Sequence, residues 1–440
     1  MKKLVGFLFA ISLCSQARAY VEVMFHPRDP SLDQIAEYII NAEKSVDMAL
    51  YNIETSNRNP VIKALKSEQV QSKIENGELS VRIIFEGFGS DEDNHKKMKD
   101  LEELGVDARY LGVSKKMHHK FSTIDALGKT PILITGSANW SLSSKNHYNE
   151  NIIFFKEHPG ITQTFQREFE SLWANSKEYG FSRDYSFNTS TNQNSENIEA
   201  FFNTAHFDVG NGFRRIGGYK FTLTRELIKS IENANHSIDI ATTRIKLRPV
   251  YEALLDAAAR GVKINAVVTM GEYKSHEFRT NKKLKECEHI FEKKCSTSQN
   301  YAIFLEREEY KGKENVTIRY KYFDLRSDQY LREQMHSKYM ITDGKEVLTG
   351  SFNWSISSEY NHIENLIRLN QLSYPKLVKD FKNDFSIIWN LNREKYHPLK
   401  NRIKEDIKSI GKTQCSLDAM TLSATEVDEL IKDYKKGICL

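Results

Sequence analysis

The sequence predicts an α/β protein built from two similar halves, and three observations carry that reading. Strand-like and helical stretches alternate along the chain, the same order of elements occurs twice, and each half closes with a helix of identical aromatic spacing. The expected architecture is two homologous α-β-α sandwich domains related by a pseudo-two-fold axis, at residues 20–181 and 198–395. A connection at 182–197 and a short helical tail at 396–440 complete the chain.

Each half opens with a strand, at Val21–Phe25 and at Ile198–Phe202. A helical stripe follows, Leu32, Ile35 and Ile39 in the first and Leu223, Leu227 and Ile231 in the second. The segments Asn41 to Ala49 and Asn233 to Ala241 then match residue for residue in character. Second helices at Val61–Leu65 and Val250–Ala259 lead to strands at Val81–Phe85 and Val262–Val268, a pattern that calls for a mostly parallel or mixed sheet. The closing helices carry Phe165, Phe169 and Trp173 against Phe381, Phe385 and Trp389, one face at i, i+4, i+8 that reads as core. The connection from Ser182 to Asn197 is rich in Asn, Ser and Thr and poor in apolar residues, so it reads as exposed.

Residues 1–19 have the form of an export leader. Lys2 and Lys3 precede an apolar run from Leu4 to Leu13 that is too short to span a bilayer, and Ala17-Arg18-Ala19 offers a small-x-small cleavage site. The expectation is a secreted or periplasmic protein starting at Tyr20; a retained membrane anchor is the competing reading. The chain has 63 basic and 59 acidic side chains, and losing Lys2, Lys3 and Arg18 leaves 60 basic. That near-neutral balance gives no warrant for a general nucleic-acid binder, whose signature is a strong basic excess. A local track, Lys115, Lys116, Arg214, Arg215 and Lys220, remains open as a phosphate path. Four cysteines survive cleavage in two local pairs, Cys287 with Cys295 and Cys415 with Cys439, which in an exported chain read as disulfides. No CxxC occurs, which speaks against zinc ligation.

The chemistry lies in the strongest part of the repeat. His118, Lys120 and Asp125 form an HxKxxxxD motif, followed by Gly136-Ser137-Ala138-Asn139-Trp140-Ser141 and then Glu150-Asn151. His336, Lys338 and Asp343 form the second copy, followed by Gly350-Ser351-Phe352-Asn353-Trp354-Ser355 and Glu364-Asn365. One HxKxxxxD is a weak signal; two copies with matching sequels are not chance.

In an extended stretch residues i and i+2 share a face, so each HxK aims an imidazole and an ammonium at one spot. A phosphodiester spreads developing charge over its non-bridging oxygens, which Lys120 and Lys338 can stabilise. Ser137, Asn139, Ser351 and Asn353 are short donors suited to the same oxygens. Two histidines let one attack phosphorus while the other protonates the departing oxygen. Each imidazole then needs an acceptor on its other nitrogen, for which Glu150 and Glu364 are the candidates. Asp125 and Asp343 belong to the motif but are expected to brace it from behind. His119 should point away from His118, and His147, His206, His236 and His362 are read as ordinary polar residues.

On these motifs the chain resembles the phospholipase D superfamily over roughly residues 20–395, within the branch of small bacterial endonucleases and mitochondrial cardiolipin hydrolases, whose motifs run HxKxxxxD, GSxNW, EN. The resemblance implies two phospholipase D-like domains with the site at their interface, no metal or other cofactor, and a covalent phosphohistidine. It also implies His118 as nucleophile and His336 as general acid. Such relatives dimerise to bring two motifs together; this chain carries both, so a monomer is expected. Two departures stand out: four extra residues between Asp125 and Gly136, and a longer excursion before His336 that includes Cys287, Cys295 and the charged stretch Glu306 to Lys313. The substrate reading leans to phospholipid, at a membrane surface, giving phosphatidate; nucleic acid is the alternative, and transfer to an alcohol in place of water stays open.

Overall fold

The computed structural model describes residues 19–87, 90–111, 116–176, 193–195, 198–208, 214–215, 221–273, 301–307, 312–326, 329, 331–434 and 438–440. The leader, most of the 182–197 connection and the Cys287–Cys295 pair lie outside them.

The first half supplies β1 (Tyr20–His26), β2 (Ser45–Leu50), β3 (Ser80–Glu86), β4 (Asp107–Leu111), β5 (Lys116–Met117), β6 (Lys120–Ile124), β7 (Ile132–Gly136) and β8 (Glu150–Lys156). The second supplies β9 (Gln193–Ser195), β10 (Ile198–Phe202), a small hairpin of β11 (Phe207–Asp208) and β12 (Arg214–Arg215), β13 (Ser237–Thr242), β14 (Lys263–Thr269), β15 (Val316–Asp324), β16 (Lys338–Thr342), β17 (Glu346–Gly350), β18 (His362–Ile363) and β19 (Asn365–Asn370). β20 (Lys412–Thr413), β21 (Ser416–Leu422) and β22 (Ile438–Cys439) follow.

The first sheet runs β1-β8-β7-β6-β2-β3-β4, and the second repeats that order as β10-β19-β17-β16-β13-β14-β15. In each, three parallel strands joined through helices are continued by antiparallel ones, so the sheets are mixed. The second sheet gains a strand at either edge, β9 beside β10 and β21 beside β15.

Those two strands correct the sequence reading. The end of the expected linker pairs with β10. The tail is helical at Tyr396–Ile410 and Ala424–Tyr434, but Ser416–Leu422 between them is a strand. Its Leu417, Met420 and Leu422, with Leu399 and Ile403, are buried in the core of the second half. Its four apolar residues, Leu417, Ala419, Met420 and Leu422, do not keep a period of two, because the pairing with β15 shifts register between Tyr322 and Asp324. The Cys415–Cys439 disulfide forms, with Cα atoms 5.2 Å apart, and closes a loop of 24 residues. Replacing both cysteines with serine is expected to cost about 3 kcal/mol on the chain-entropy estimate; a denaturant titration that leaves the midpoint unmoved would contradict this.

The aromatic stripes do form core, and of a particular kind. Phe165, Phe169 and Trp173 from one closing helix and Phe381 and Phe385 from the other lie in a single cluster with Ile153, Phe155, Ile367 and Leu369 from the two sheets. The closing helices thus form the shared middle layer. Stacking the guanidinium of Arg109 on Trp173 at 4.0 Å and of Arg319 on Trp389 at 3.9 Å repeats the same device in both halves. No helix among the described residues is long and apolar enough to cross a membrane.

Candidate active site

The GSxNWS and EN motifs first explain themselves as architecture. A Cβ on Gly136 would fall 2.2 Å from the Asn151 carbonyl oxygen, and one on Gly350 would fall 2.4 Å from that of Asn365, so only glycine lets β7 and β17 end against the EN strand. Ser137 and Ser351 are fully buried and accept the N–H of Asn151 and Asn365, each at 3.0 Å. They brace those strands from beneath the site. Trp140 and Trp354 are core residues. Ser141 and Ser355 cap the short helices Leu142–His147 and Ile356–Asn361. Those helices deliver Glu150 and Glu364 to their places. Asn139 and Asn353 are half-buried, each with a side-chain oxygen that is buried and unpartnered.

The two aspartates do not reach the site. Each ends its strand in the left-handed region, φ 49° at Asp125 and 51° at Asp343, a conformation aspartate tolerates better than most. Asp125 accepts the N–H of Glu43, Lys44 and Ser45 at 2.8, 2.6 and 2.9 Å. Asp343 does the same with Asn235, His236 and Ser237 at 3.0, 2.7 and 3.0 Å. A full strand length, roughly 16 Å, separates each from its lysine. Their place in the motif is structural.

His118 and His336 come together, and their partners cross over. His118 Nδ1 lies 2.9 Å from Glu364 of the other half, and His336 Nδ1 lies 2.7 Å from Glu150. Backbone pairing enforces the exchange. His118 N–H donates to the Ile363 carbonyl and His336 N–H to that of Asn149, both at 3.0 Å. β5, just before His118, pairs with β18, just before Glu364. Lys120 and Lys338 donate to the carbonyl of the histidine two residues earlier, at 2.8 and 2.5 Å, and their ammonium groups sit 3.3 and 3.2 Å from imidazole nitrogen. His119 faces the opposite way, held by Glu168 and Asn365 in the shared core.

Several neighbours had no sequence signal. Tyr51 packs its ring 4.5 Å from that of His118. Tyr148, two residues before Glu150, lies 5.7 Å from His336. His362 holds the equivalent place before Glu364, 5.4 Å from the His118 ring and 3.5 Å from Glu364, which corrects the bland reading given to it. Ring atoms of His118 and His362 and the Glu364 carboxylate lie within 4.8 Å of one another, a spacing that could hold a metal ion. Here the carboxylate engages both imidazoles directly. His147 and His236 are exposed and His206 pairs with Thr222. Of the suggested basic track, Lys116 is exposed on β5 and Lys115 and Lys220 lie outside the described residues. The four-residue excess after Asp125 forms a turn at the far end of β6 from the site.

The family profile described as "Cardiolipin synthase, PLD-like domain" matches residues 35–173 and 227–389, one span in each half. This chain belongs to the phospholipase D-like family. The mitochondrial cardiolipin hydrolase of Chlamydomonas reinhardtii is 28% identical over 147 residues, 32% of this chain and 57% of that protein. The chain thus spans under two thirds of that curated relative. The crystal structure of phosphatidylserine synthase from Haemophilus influenzae superposes with a TM-score of 0.53 at 12% identity, covering 82% of this chain and 85% of the other. Polyphosphate kinase from Porphyromonas gingivalis gives 0.51 at 16% identity, over 83% and 46%. At those identities the two structures bear on the fold alone.

The electrostatics of this phospholipase D-like site follow from burial. Burial drives the His118 imidazole well below its ordinary range despite the pull of Glu364, and lowers His336 to about 4 despite Glu150. Burial alone would raise Glu364, yet His118 and His362 hold it well below the carboxylate range. Each pair is therefore a neutral imidazole against a carboxylate. The imidazole donates through Nδ1 and leaves the Nε2 lone pair as the base or nucleophile; at His118 the Lys120 ammonium lies 3.3 Å from that nitrogen. Burial also brings Lys120 down to about 7 and Lys338 to about 8, against the pull of the buried glutamates.

A pH dependence follows. Both lysines are charged below those values, so their positive field is lost as pH rises through them. The kcat/KM for an anionic diester is expected to fall between pH 7 and 8 and beyond, approaching about tenfold per unit for each lysine lost. A profile flat to the ordinary lysine range would contradict the placement of these two charges.

Proposed function

We propose that this chain is a phospholipase D-type phosphodiesterase that hydrolyses phospholipid diesters to phosphatidate through a phosphohistidine. The observation that carries the reading is the crossed pair of imidazole–carboxylate contacts, His118 with Glu364 and His336 with Glu150, flanked by Lys120 and Lys338. Seating an anionic phosphate between the lysines raises the proton affinity of both imidazoles, so that His336 can carry the proton it must give. His118 Nε2 attacks phosphorus, the bond to the departing alcohol breaks, and His336 donates its proton to that oxygen. Water then attacks the phosphorus, His336 takes its proton, and the phosphorus–nitrogen bond breaks to restore His118. In this reading the amide N–H groups of Asn139 and Asn353 donate to the non-bridging oxygens. An alcohol replacing water in the second step would give transfer.

Near-neutral charge after leader removal supports lipid over a polyanionic polymer, as does the match to a protein named as a cardiolipin hydrolase. Export through the leader ending near Ala19, action as a monomer and contact with a membrane surface complete the proposal. The test is to incubate the protein lacking residues 1–19 with cardiolipin vesicles, plasmid DNA and RNA side by side, with and without EDTA. Phosphatidate release is expected, unchanged by chelation within about twofold, since two lysines supply the positive field. Nicked plasmid or shortened RNA without phosphatidate would transfer the mechanism to a nuclease. Loss of activity in EDTA with recovery on adding a divalent ion would overturn the metal-independent chemistry.

A further inference from the structure

The two halves repeat in fold but not in the polar groups around their histidines. The positions after β2 hold Tyr51 and Asn52, and register places Thr243 and Arg244 at their counterparts after β13. Glu86 and Leu111, paired across β3 and β4, correspond to Thr269 and Lys321, paired across β14 and β15. An aromatic, acidic and apolar row in the first half is thus a row of hydroxyls and cations in the second.

Those groups are buried or half-buried and have few partners. Lys321 is 3% exposed, and its ammonium makes one long hydrogen bond, 3.4 Å, to the carbonyl of His147. Among the described residues no carboxylate lies within ion-pair distance of it or of Arg244; Glu333 acts on Lys321 only from farther off, too weakly to offset its burial. Arg244 is half-buried, with Nε unpartnered, and its charge reaches Lys338. The hydroxyl oxygens of Thr243 and Thr269 are also buried without a partner. By contrast, the extra cation of the first half, Lys97, meets Asn52 Oδ1 at 3.5 Å and lies over Phe85. Burying a cation without an ion-pair partner is costly, and a buried lysine with a half-buried arginine on one side of one site point to a bound anion.

We propose that Arg244, Lys321, Thr243 and Thr269 form an anion subsite beside His336 that holds a second, non-reacting phosphate of the substrate. The location is continuous with the catalytic groups: the residue after His147 is Tyr148, whose ring packs on His336. Lys321 and Arg244 rise from strands two apart, roughly 10 Å, a gap that one phosphate and two long side chains fill. The subsite sits on the half that releases the alcohol, so the second phosphate belongs to the departing group. Burial pushes Lys321 down to about 8, and an anion beside it would restore its charge.

The identification of that phosphate as a lipid's rests on the phospholipid reading above. The test compares cardiolipin, with two phosphates, and phosphatidylglycerol, with one, in mixed micelles. The native protein should favour cardiolipin in kcat/KM by about tenfold, and Lys321→Met and Arg244→Gln should each erase most of that preference through KM. Lys321→Met should also raise the thermal midpoint by about 2 °C, a shift that a structural ion pair would not give. An unchanged preference in both variants would overturn the subsite. If neither lipid is cleaved, the phospholipid reading alone fails, and calorimetry with glycerol 1,3-bisphosphate against glycerol 1-phosphate decides the subsite. Tighter binding of the bisphosphate, lost in the variants, sustains it; equal affinities overturn it. A preference seen only for a 5′-phosphorylated dinucleotide over the unphosphorylated one, and lost in the same variants, sustains the subsite with a nucleic-acid source.

Discussion

His118→Ala is expected to remove turnover of bis-(p-nitrophenyl) phosphate by about 10⁴-fold or more, with neither a burst of nitrophenolate nor a phosphoryl adduct. His336→Ala should fail differently. Nitrophenolate scarcely needs a proton as it leaves, so the first step survives loss of the general acid. The second step does not, because the same imidazole must take the proton of the attacking water. A burst near one equivalent followed by slow release is the expected trace. With a phospholipid, whose alkoxide leaves poorly, both variants should be inactive. Full steady-state activity in both single variants with the nitrophenyl ester would remove the shared site altogether.

The carboxylates give the second large effect, and its pattern is set by the crossing. Glu364→Gln leaves an amide against His118 Nδ1, which no longer fixes the tautomer or balances a developing charge, and a loss of about 10²- to 10⁴-fold is expected. Although Glu364 belongs to the second half, its variant should behave like a weakened His118→Ala, with no burst. Glu150→Gln, from the first half, should behave like a weakened His336→Ala, retaining a burst with the good leaving group. Stopped-flow traces of the two variants decide the matter. If each glutamate instead phenocopies the histidine of its own half, the crossed contacts at 2.9 and 2.7 Å do not describe the working enzyme.

The sequence made some of this legible because the chain repeats itself. Two aligned copies expose positions on which both halves depend, so the HxK pair, the GSxNWS and EN sequels and the aromatic stripes could be read without coordinates. Pairing across the halves could not be read. His118 and Glu364 are 246 residues apart and His336 and Glu150 are 186 apart, and no local pattern says whether a glutamate serves its own copy or the other. His362 was hidden for the opposite reason: its counterpart is Tyr148, so comparing the copies gave no match to notice. The same blindness covers Arg244 and Lys321, which differ from Asn52 and Leu111. The motif aspartates were legible too: the sequence assigns them to brace the motif from behind, and they pin Glu43 to Ser45 and Asn235 to Ser237, fixing the ends of β6 and β16 remote from the site.

The most direct test of the central claim, one covalent site shared by two halves, is to quench His336→Ala during turnover of bis-(p-nitrophenyl) phosphate at neutral to alkaline pH and map the modified peptide by mass spectrometry. The account predicts a single phosphoryl group on His118, near one equivalent per chain, absent when Glu364 is also replaced by Gln. No phosphoryl histidine at any time point, or an adduct undiminished by the Glu364 substitution, would contradict it.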